Sequence, residues 1–165
     1  MSQATFDAVS ATPDSRLVKV PAHMLPAFRE LSSVYGGASW IASAEIRCEE
    51  TSSSPLISDA YDAAEILRVS LGRSLQKNLR GLRCTTIVTK GTAAIGLCGK
   101  FPFLADAERR TDDTAPRAYS ARHAPVGDII AWMIDECSKS DVTHMGGWVK
   151  LNKDHKLVVF NSNNV

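Results

Sequence analysis

Leucine recurs at every fourth position within residues 59–83, at Leu67, Leu71, Leu75 and Leu79. This spacing places the leucines on one face of an α-helix. At about 100° per residue, Arg73, Lys77 and Arg80 fall together on the opposite face. Gly72 is the residue that most disfavours a helix here, by about 1 kcal/mol relative to alanine. The pattern predicts a long helix over residues 59–83, with a leucine face turned to the core and a basic face turned outward.

Two other stretches, residues 22–35 and 125–138, have the apolar spacing of helices. Strands are predicted where apolar and polar residues alternate or where β-branched residues cluster. The predicted strands cover residues 16–20, 39–50, 82–89, 92–99, 148–151 and 156–160, with an edge strand at 117–122. Short polar or glycine-containing turns join the third strand to the fourth and the fifth to the sixth, which predicts two hairpins.

The main predicted elements follow the order β-α-β-α-β-β-α-β-β. Because the hairpins are short, the sheet of about five to six strands is predicted to be mostly antiparallel or mixed, with three helices packed on it. The predicted fold class is therefore α+β. Residues 1–15 are small and polar and are predicted to form a flexible N-terminal arm, followed by a single domain over residues 16–165.

Composition is that of an ordinary folded protein, with 44% hydrophobic and 22% charged residues. A net charge of +1 argues against a protein that coats polyanions through general basicity, but it leaves room for a local basic patch. No apolar run approaches the roughly 18 residues that a membrane span requires, so no membrane contact is expected. The first residues also lack the basic and apolar regions of a secretory signal.

The cysteines are spread along the chain without a CxxC pair or a histidine at metal-ligand spacing: Cys48, Cys84, Cys98 and Cys137. Because the sequence shows no export signal, they are interpreted as reduced, buried thiols in a cytoplasmic protein. Neither a metal site nor a cofactor is predicted from this spacing.

Charge is divided between two neighbouring segments of the chain. Residues 68–100 contain basic residues and no acid, whereas residues 45–65 contain acids against Arg47 alone. Such a dipolar surface suits self-association, acidic block against basic block, or contact with a protein partner. The basic side chains are also suited to nucleic-acid phosphates, although no aromatic residue among them would stack on bases. The candidate binding residues for either partner are Arg68, Arg73, Lys77, Arg80 and Arg83.

The segment Gly96-Leu97-Cys98-Gly99 places a cysteine beside glycines. A cysteine nucleophile requires a general base within hydrogen-bond reach, which His123 or His23 would supply. The motif resembles the Gly-x-Cys-Gly of viral chymotrypsin-like cysteine proteases, and that resemblance implies a hydrolase with Cys98 and His123 as catalytic candidates. It covers only this segment, and the two β-barrels of that family do not agree with the three predicted helices.

Three aromatic residues lie on or beside irregular segments, where aromatics often anchor interfaces: Phe101, Phe103 and Trp148. The alternative is that they close the core from the side. Together with the divided charge, these residues favour a non-enzymatic interaction or assembly subunit that associates with itself or with another protein. One alternative is an RNA-binding protein, for which a viral origin is one option. The other is a cysteine-dependent hydrolase centred on Cys98.

Overall fold

The computed structural model describes residues 15–32, 43–76, 84–99, 119–138, 142–151 and 155–164. Its helices are α1 (Leu25–Ser32), α2 (Ile57–Arg68) and α3 (His123–Cys137), with short 3-10 turns at Ala22–Met24 and Ser162–Asn164. Its strands are β1 (Arg16–Lys19), β2 (Ser43–Glu49), β3 (Arg73–Gln76), β4 (Cys84–Lys90), β5 (Ala93–Gly99), β6 (Tyr119–Arg122), β7 (Gly146–Lys150) and β8 (His155–Asn161).

A six-stranded sheet in the order β1-β2-β7-β8-β5-β4 forms the centre of the fold, and β3 pairs with β6 in a separate ribbon. Every pair is antiparallel. The α+β class and the antiparallel sheet predicted from the sequence are therefore confirmed. The hairpins β4–β5 and β7–β8 are also confirmed, and Gly91 turns the first of them with a φ of +55°.

The helices pack on one face of this sheet and form the main core with it. Alternate residues of the strands, such as Ile46, Ile95 and Leu157, point into this core. The inner side of α3 supplies Ile130 and Met133, both fully buried. The core is therefore a two-layer arrangement of helices on an antiparallel sheet.

Small residues bring α2 and α3 close together. The buried side of α2 consists largely of alanines, among them Ala63 and Ala64. Gly127 of α3 faces them, and a Cβ built on it would lie 2.5 Å from the backbone oxygen of Ala64. Because that distance is shorter than any real contact, only glycine allows this approach of the two helices.

The helix predicted over residues 59–83 ends at Arg68, so this prediction is wrong for residues 69–76, and residues 77–83 lie outside the described part of the chain. Ser70 N–H bonds to the oxygen of Leu67 in a tight turn, and the hydroxyl of Ser70 then accepts the N–H of Gly72. Serine and glycine favour such local bonds over a continuing helix. The chain turns away to pair as β3 with β6, and Leu71 is left fully exposed.

The interpretation of the cysteines as reduced thiols is also wrong. Cys48 of β2 is bonded to Cys137 of α3, and Cys84 of β4 is bonded to Cys98 of β5. The spacing of the cysteines along the chain did not predict either disulfide, because strand register and helix packing bring the partners together. Such bonds persist mainly in oxidising compartments, so they do not support the predicted cytoplasmic location.

The described residues contain no helix with both the length and the apolar character needed to cross a bilayer. Residues 1–14, which make up nearly all of the predicted N-terminal arm, lie outside the described part of the chain. The predicted edge strand near residue 120 exists as β6, but it pairs with β3 and not with the main sheet.

Candidate functional site

The basic residues predicted to share one helix face do not share one element. Arg68 is the last residue of α2, and Arg73 is the first residue of β3. The remaining members of the set lie outside the described residues: Lys77, Arg80 and Arg83. Arg68 Nη1 lies 3.1 Å from a carboxylate oxygen of Glu65, and Arg68 Nε lies 3.1 Å from one of Asp128. The guanidinium of Arg68 is therefore occupied by two acids.

Among the acids of residues 45–65, Glu45 and Glu49 of β2 have local ion-pair partners. Glu45 lies 3.7 Å from the ammonium of Lys150, and Glu49 lies 3.3 Å from the guanidinium of Arg47. These pairs sit on the face of the sheet opposite the helices. The dipolar charge seen in the sequence is thus divided among several local ion pairs.

Asp59, another of these acids, holds the β4–β5 turn. Its carboxylate accepts the backbone N–H of Thr92 at 2.8 Å and the hydroxyl of Thr92 at 2.7 Å. These hydrogen bonds lower the pKa of Asp59, and the nearby charge of Lys90 adds to the effect. The role of this carboxylate is to fix a turn.

The end of α2 and the turn after it expose an apolar surface that we call the α2 ledge: Ile66, Val69 and Leu71. These side chains are 44%, 72% and 104% exposed, respectively. Scattered exposed hydrophobic residues are normal on protein surfaces, but several close together mark interaction sites. The leucine repeat predicted that Leu71 would be buried in the core, and this prediction is wrong.

A bidentate ion pair lies near the ledge. Arg122 Nε donates to Glu30 Oε2 at 2.6 Å, and Arg122 Nη2 donates to Glu30 Oε1 at 2.7 Å. This hydrogen bonding lowers the pKa of Glu30 against the opposing effect of partial burial, and the charges of Arg122 and Arg73 lower it further. The same contact raises the pKa of Arg122. The pair joins α1 to the end of β6.

His123, the first residue of α3, has both ring nitrogens bonded to serine hydroxyls. Its Nδ1 lies 2.8 Å from Ser70 Oγ, and its Nε2 lies 2.6 Å from Ser74 Oγ. The backbone N–H of His123 also donates to the oxygen of Gly72 at 2.9 Å. We call this arrangement the Ser70–His123–Ser74 cluster. It lies directly beside the α2 ledge in the chain.

The other catalytic candidate, Cys98, has no thiol in this structure. It is 1% exposed and bonded to Cys84, the residue directly opposite it on the neighbouring strand. A nucleophile must be an accessible thiolate, so Cys98 does not act as one while this bond is intact. Gly96, two residues before it, instead leaves room for the ring of Phe160, which would lie 3.2 Å from a Cβ at that position.

Trp148, one of the residues predicted to anchor an interface, is buried on the face of the sheet opposite the helices. It is 2% exposed, and the Lys156 ammonium lies 3.7 Å from the centre of its ring. Burial, together with the neighbouring charge of Lys150, lowers the pKa of Lys156 to about 8, whereas Glu45 opposes this shift. The other predicted interface residues, Phe101 and Phe103, lie outside the described part.

A cavity of about 300 Å³ opens on the helical side, beside Arg68. Its lining combines an apolar floor with charged residues: His23, Met24, Arg68, Asp128, Ala131, Trp132 and Asp135. The hydroxyl of Tyr61 donates to the carboxylate of Asp135, and burial raises the pKa of that tyrosine. Asp135 is therefore committed to Tyr61, and Arg68 and Asp128 are committed to each other.

Sequence reasoning missed Ser70 and Ser74 as partners of His123. The signal that would have found them is weak, because serines are common and these two are separated from His123 by about fifty positions. The pairing of β3 with β6 brings them together. Within the described segments, no group of three or more histidine, cysteine, aspartate or glutamate side chains is placed to hold a metal ion.

Comparison of the chain with protein-family models, with curated proteins and with solved structures found no match.

Proposed function

We propose that the protein is a self-associating assembly subunit that forms a two-fold dimer through the α2 ledge. The observation that carries the proposal is the exposure of Ile66, Val69 and Leu71 in one short stretch. Burying apolar surface stabilises by about 25 cal/mol per Å², so several large hydrophobic side chains are rarely left together in water. A second copy of the chain is a suitable partner because an apolar surface is complementary to itself.

The charges around the ledge also suit a second copy. Arg68 forms an ion pair with Glu65, and Arg122 forms one with Glu30, so positive and negative charges lie side by side. A two-fold axis brings the same surface of each subunit together, and a surface of one sign would repel itself. Alternating ion pairs avoid that repulsion, and the net charge of +1 adds little at long range.

This proposal keeps the class predicted from the sequence and changes the surface. The sequence favoured association through divided charge, whereas the apolar ledge now carries the contact and the charges border it. Nucleic-acid binding, by a viral or other RNA-binding protein, remains a prediction, and two carboxylates already occupy the guanidinium of Arg68. A cysteine hydrolase at Cys98 is not carried forward, because that sulfur is in a disulfide.

The disulfides indicate the kind of cellular compartment in which such a dimer would function. Cys48–Cys137 and Cys84–Cys98 support an oxidising compartment, since the cytosol keeps most thiols reduced. The cytoplasmic prediction followed from the absence of an export signal and implied reduced thiols, so we propose an oxidising location in its place.

Light scattering coupled to size-exclusion chromatography tests the dimer. The wild-type protein should have twice the mass of one chain, and Leu71→Glu should shift it to the monomer. Each buried leucine contributes about 1.5–3 kcal/mol, and a two-fold interface contains two copies of it. Since each 1.4 kcal/mol is about tenfold in affinity, the dissociation constant should rise by about 100-fold or more.

Leu17→Glu is the matched control, because Leu17 is also highly exposed (74%) but lies on β1, outside the ledge. This variant should remain dimeric. A wild-type protein that is monomeric at its highest soluble concentration, or a dimer that Leu71→Glu leaves intact, would refute the proposal.

A further inference from the structure

The Ser70–His123–Ser74 cluster has the parts of a nucleophilic site. A serine nucleophile requires a base within about 2.6–3.2 Å and a third group that orients the base. Ser74 Oγ lies 2.6 Å from His123 Nε2, and Ser70 Oγ lies 2.8 Å from His123 Nδ1. We propose that Ser74 is a nucleophile activated by His123, that Ser70 positions the ring, and that the site accepts acyl groups from activated esters.

The local backbone holds the imidazole ring in place. Gly72 lies beside it, and a Cβ built on Gly72 would be 2.9 Å from His123 Nδ1, so a larger residue would displace the ring. The Gly72 oxygen accepts the backbone N–H of His123 at 2.9 Å. The N–H of Gly72 donates to Ser70 Oγ at 3.0 Å, which fixes the hydroxyl that faces the ring. The base is therefore positioned before any substrate arrives.

The hydrogen bonds are consistent with the tautomer that a general base needs. With the ring proton on Nδ1, His123 donates to Ser70 Oγ, and its Nε2 accepts the hydroxyl proton of Ser74. A hydroxyl oxygen has two lone pairs, so Ser70 Oγ accepts both this proton and the N–H of Gly72. Ser74 and His123 are both only partly buried, so solvent reaches them.

The reaction balances without a cofactor or an oxidant. Ser74 Oγ attacks the carbonyl carbon of the ester while its proton moves to His123 Nε2. The bond to the leaving group then breaks, and His123 returns the proton to the departing oxygen. A water molecule attacks the acyl-serine in the same way, so one ester and one water give one acid and one alcohol.

Aryl esters are the substrate class that this geometry suits best. Their leaving groups depart easily, so they require the least stabilisation of the negative oxygen in the intermediate. The α2 ledge adjoins the cluster through Leu71, the residue between Ser70 and Gly72. This proposal does not depend on the dimer, because all three side chains of the cluster belong to one chain.

A fluorophosphonate probe and p-nitrophenyl acetate test the site in the full-length protein. The probe should label Ser74, as mapped by peptide mass spectrometry, and p-nitrophenol release should exceed that of the Ser74→Ala variant. His123→Gln should slow labelling by about 100-fold, because a general base contributes roughly 10²–10⁴ in rate. Ser70→Ala should slow it less, and Ser70→Thr, which keeps the hydroxyl, should restore it.

Ser162→Ala is the matched control. The hydroxyl of Ser162, near the last described residue, donates to the backbone oxygen of Gly91 and not to His123. It should label at the wild-type rate. The mapping of the label uses wild-type protein, so it does not depend on whether a variant folds. Absence of label on Ser74, or labelling that His123→Gln leaves unchanged in a folded variant, would overturn the proposal.

Discussion

The two faces of the six-stranded sheet are built in different ways. The helix-covered face is filled by apolar side chains, such as Ile95 and Leu157 packed beneath Met133. The opposite face has a smaller apolar cluster, which includes Trp148, beside charged residues such as Lys156. Because side chains alternate along a strand, the same strands supply both surfaces. The difference shows that one sheet can combine a largely apolar core with a face where charge is buried beside aromatic rings.

Each face also contains one disulfide, and the two bonds close loops of very different size. Cys48–Cys137 joins the sheet to α3 on the helix-covered side, with partners 89 residues apart. Cys84–Cys98 joins neighbouring strands on the opposite side, with partners 14 residues apart. In the chain-entropy description, a larger loop constrains the unfolded chain more strongly. The comparison therefore predicts that the bond on the helix-covered side contributes more to stability.

The largest effect is expected from removing Cys48–Cys137. The double variant Cys48→Ala with Cys137→Ala should lose about 4.5 kcal/mol of unfolding free energy, the loop-entropy value for its separation. Guanidinium unfolding followed by circular dichroism measures this loss. A loss below that of the hairpin bond would show that the sheet and α3 are held by packing alone.

A smaller effect is expected from removing Cys84–Cys98. Because its partners already face each other in a paired hairpin, Cys84→Ala with Cys98→Ala should cost about 3 kcal/mol. The same unfolding experiment applies, with the wild-type protein as the reference. Equal losses for the two double variants would remove loop size as the explanation of the difference.

The smallest effect concerns the buried charge on the opposite face. The pKa of Lys156 is about 8 in the folded protein and 10.5 for an ordinary lysine, so between these pH values the unfolded chain binds more protons. Stability should therefore rise with pH across this window. Lys156→Met should be more stable than the wild type below pH 8, with the advantage shrinking toward pH 10.5.

Urea unfolding of both proteins at about pH 7 and about pH 10 measures that advantage. Lys19→Met, which replaces an exposed lysine of β1, serves as the control and should follow the wild-type pH profile. An advantage of Lys156→Met that does not change with pH would show that the lysine is not neutralised on the folded sheet.

Much of the fold was predictable from local pattern. The strands of both hairpins and the helix at His123–Cys137 were found because period-2 and period-3.6 apolar spacing is a local property. The α2 helix was predicted too long because the leucine repeat continued past its end. Local hydrogen bonds of Ser70 and Gly72, and pairing of β3 with a strand far along the chain, outweighed that repeat.

The candidate sites were less predictable. His123 was singled out, but with Cys98 as its partner and not Ser74. The α2 ledge falls within residues 59–83, where the sequence predicted a basic surface, but the residues that form the ledge are apolar, such as Leu71 and Val69. Periodicity indicates which residues share a face, but it does not show whether another element covers that face.

The sequence by itself determined the antiparallel α+β architecture, because hairpin turns and apolar periodicity act over a few neighbouring residues. Only the tertiary structure decided the end of the α2 helix, the pairing of the four cysteines and the serine partners of His123. Each of these depends on contacts between residues far apart in the chain. The described residues 59–76, which were predicted to belong to one helix with a basic outer face, accordingly form the end of a helix, an apolar ledge and a strand that presents Ser74 to His123.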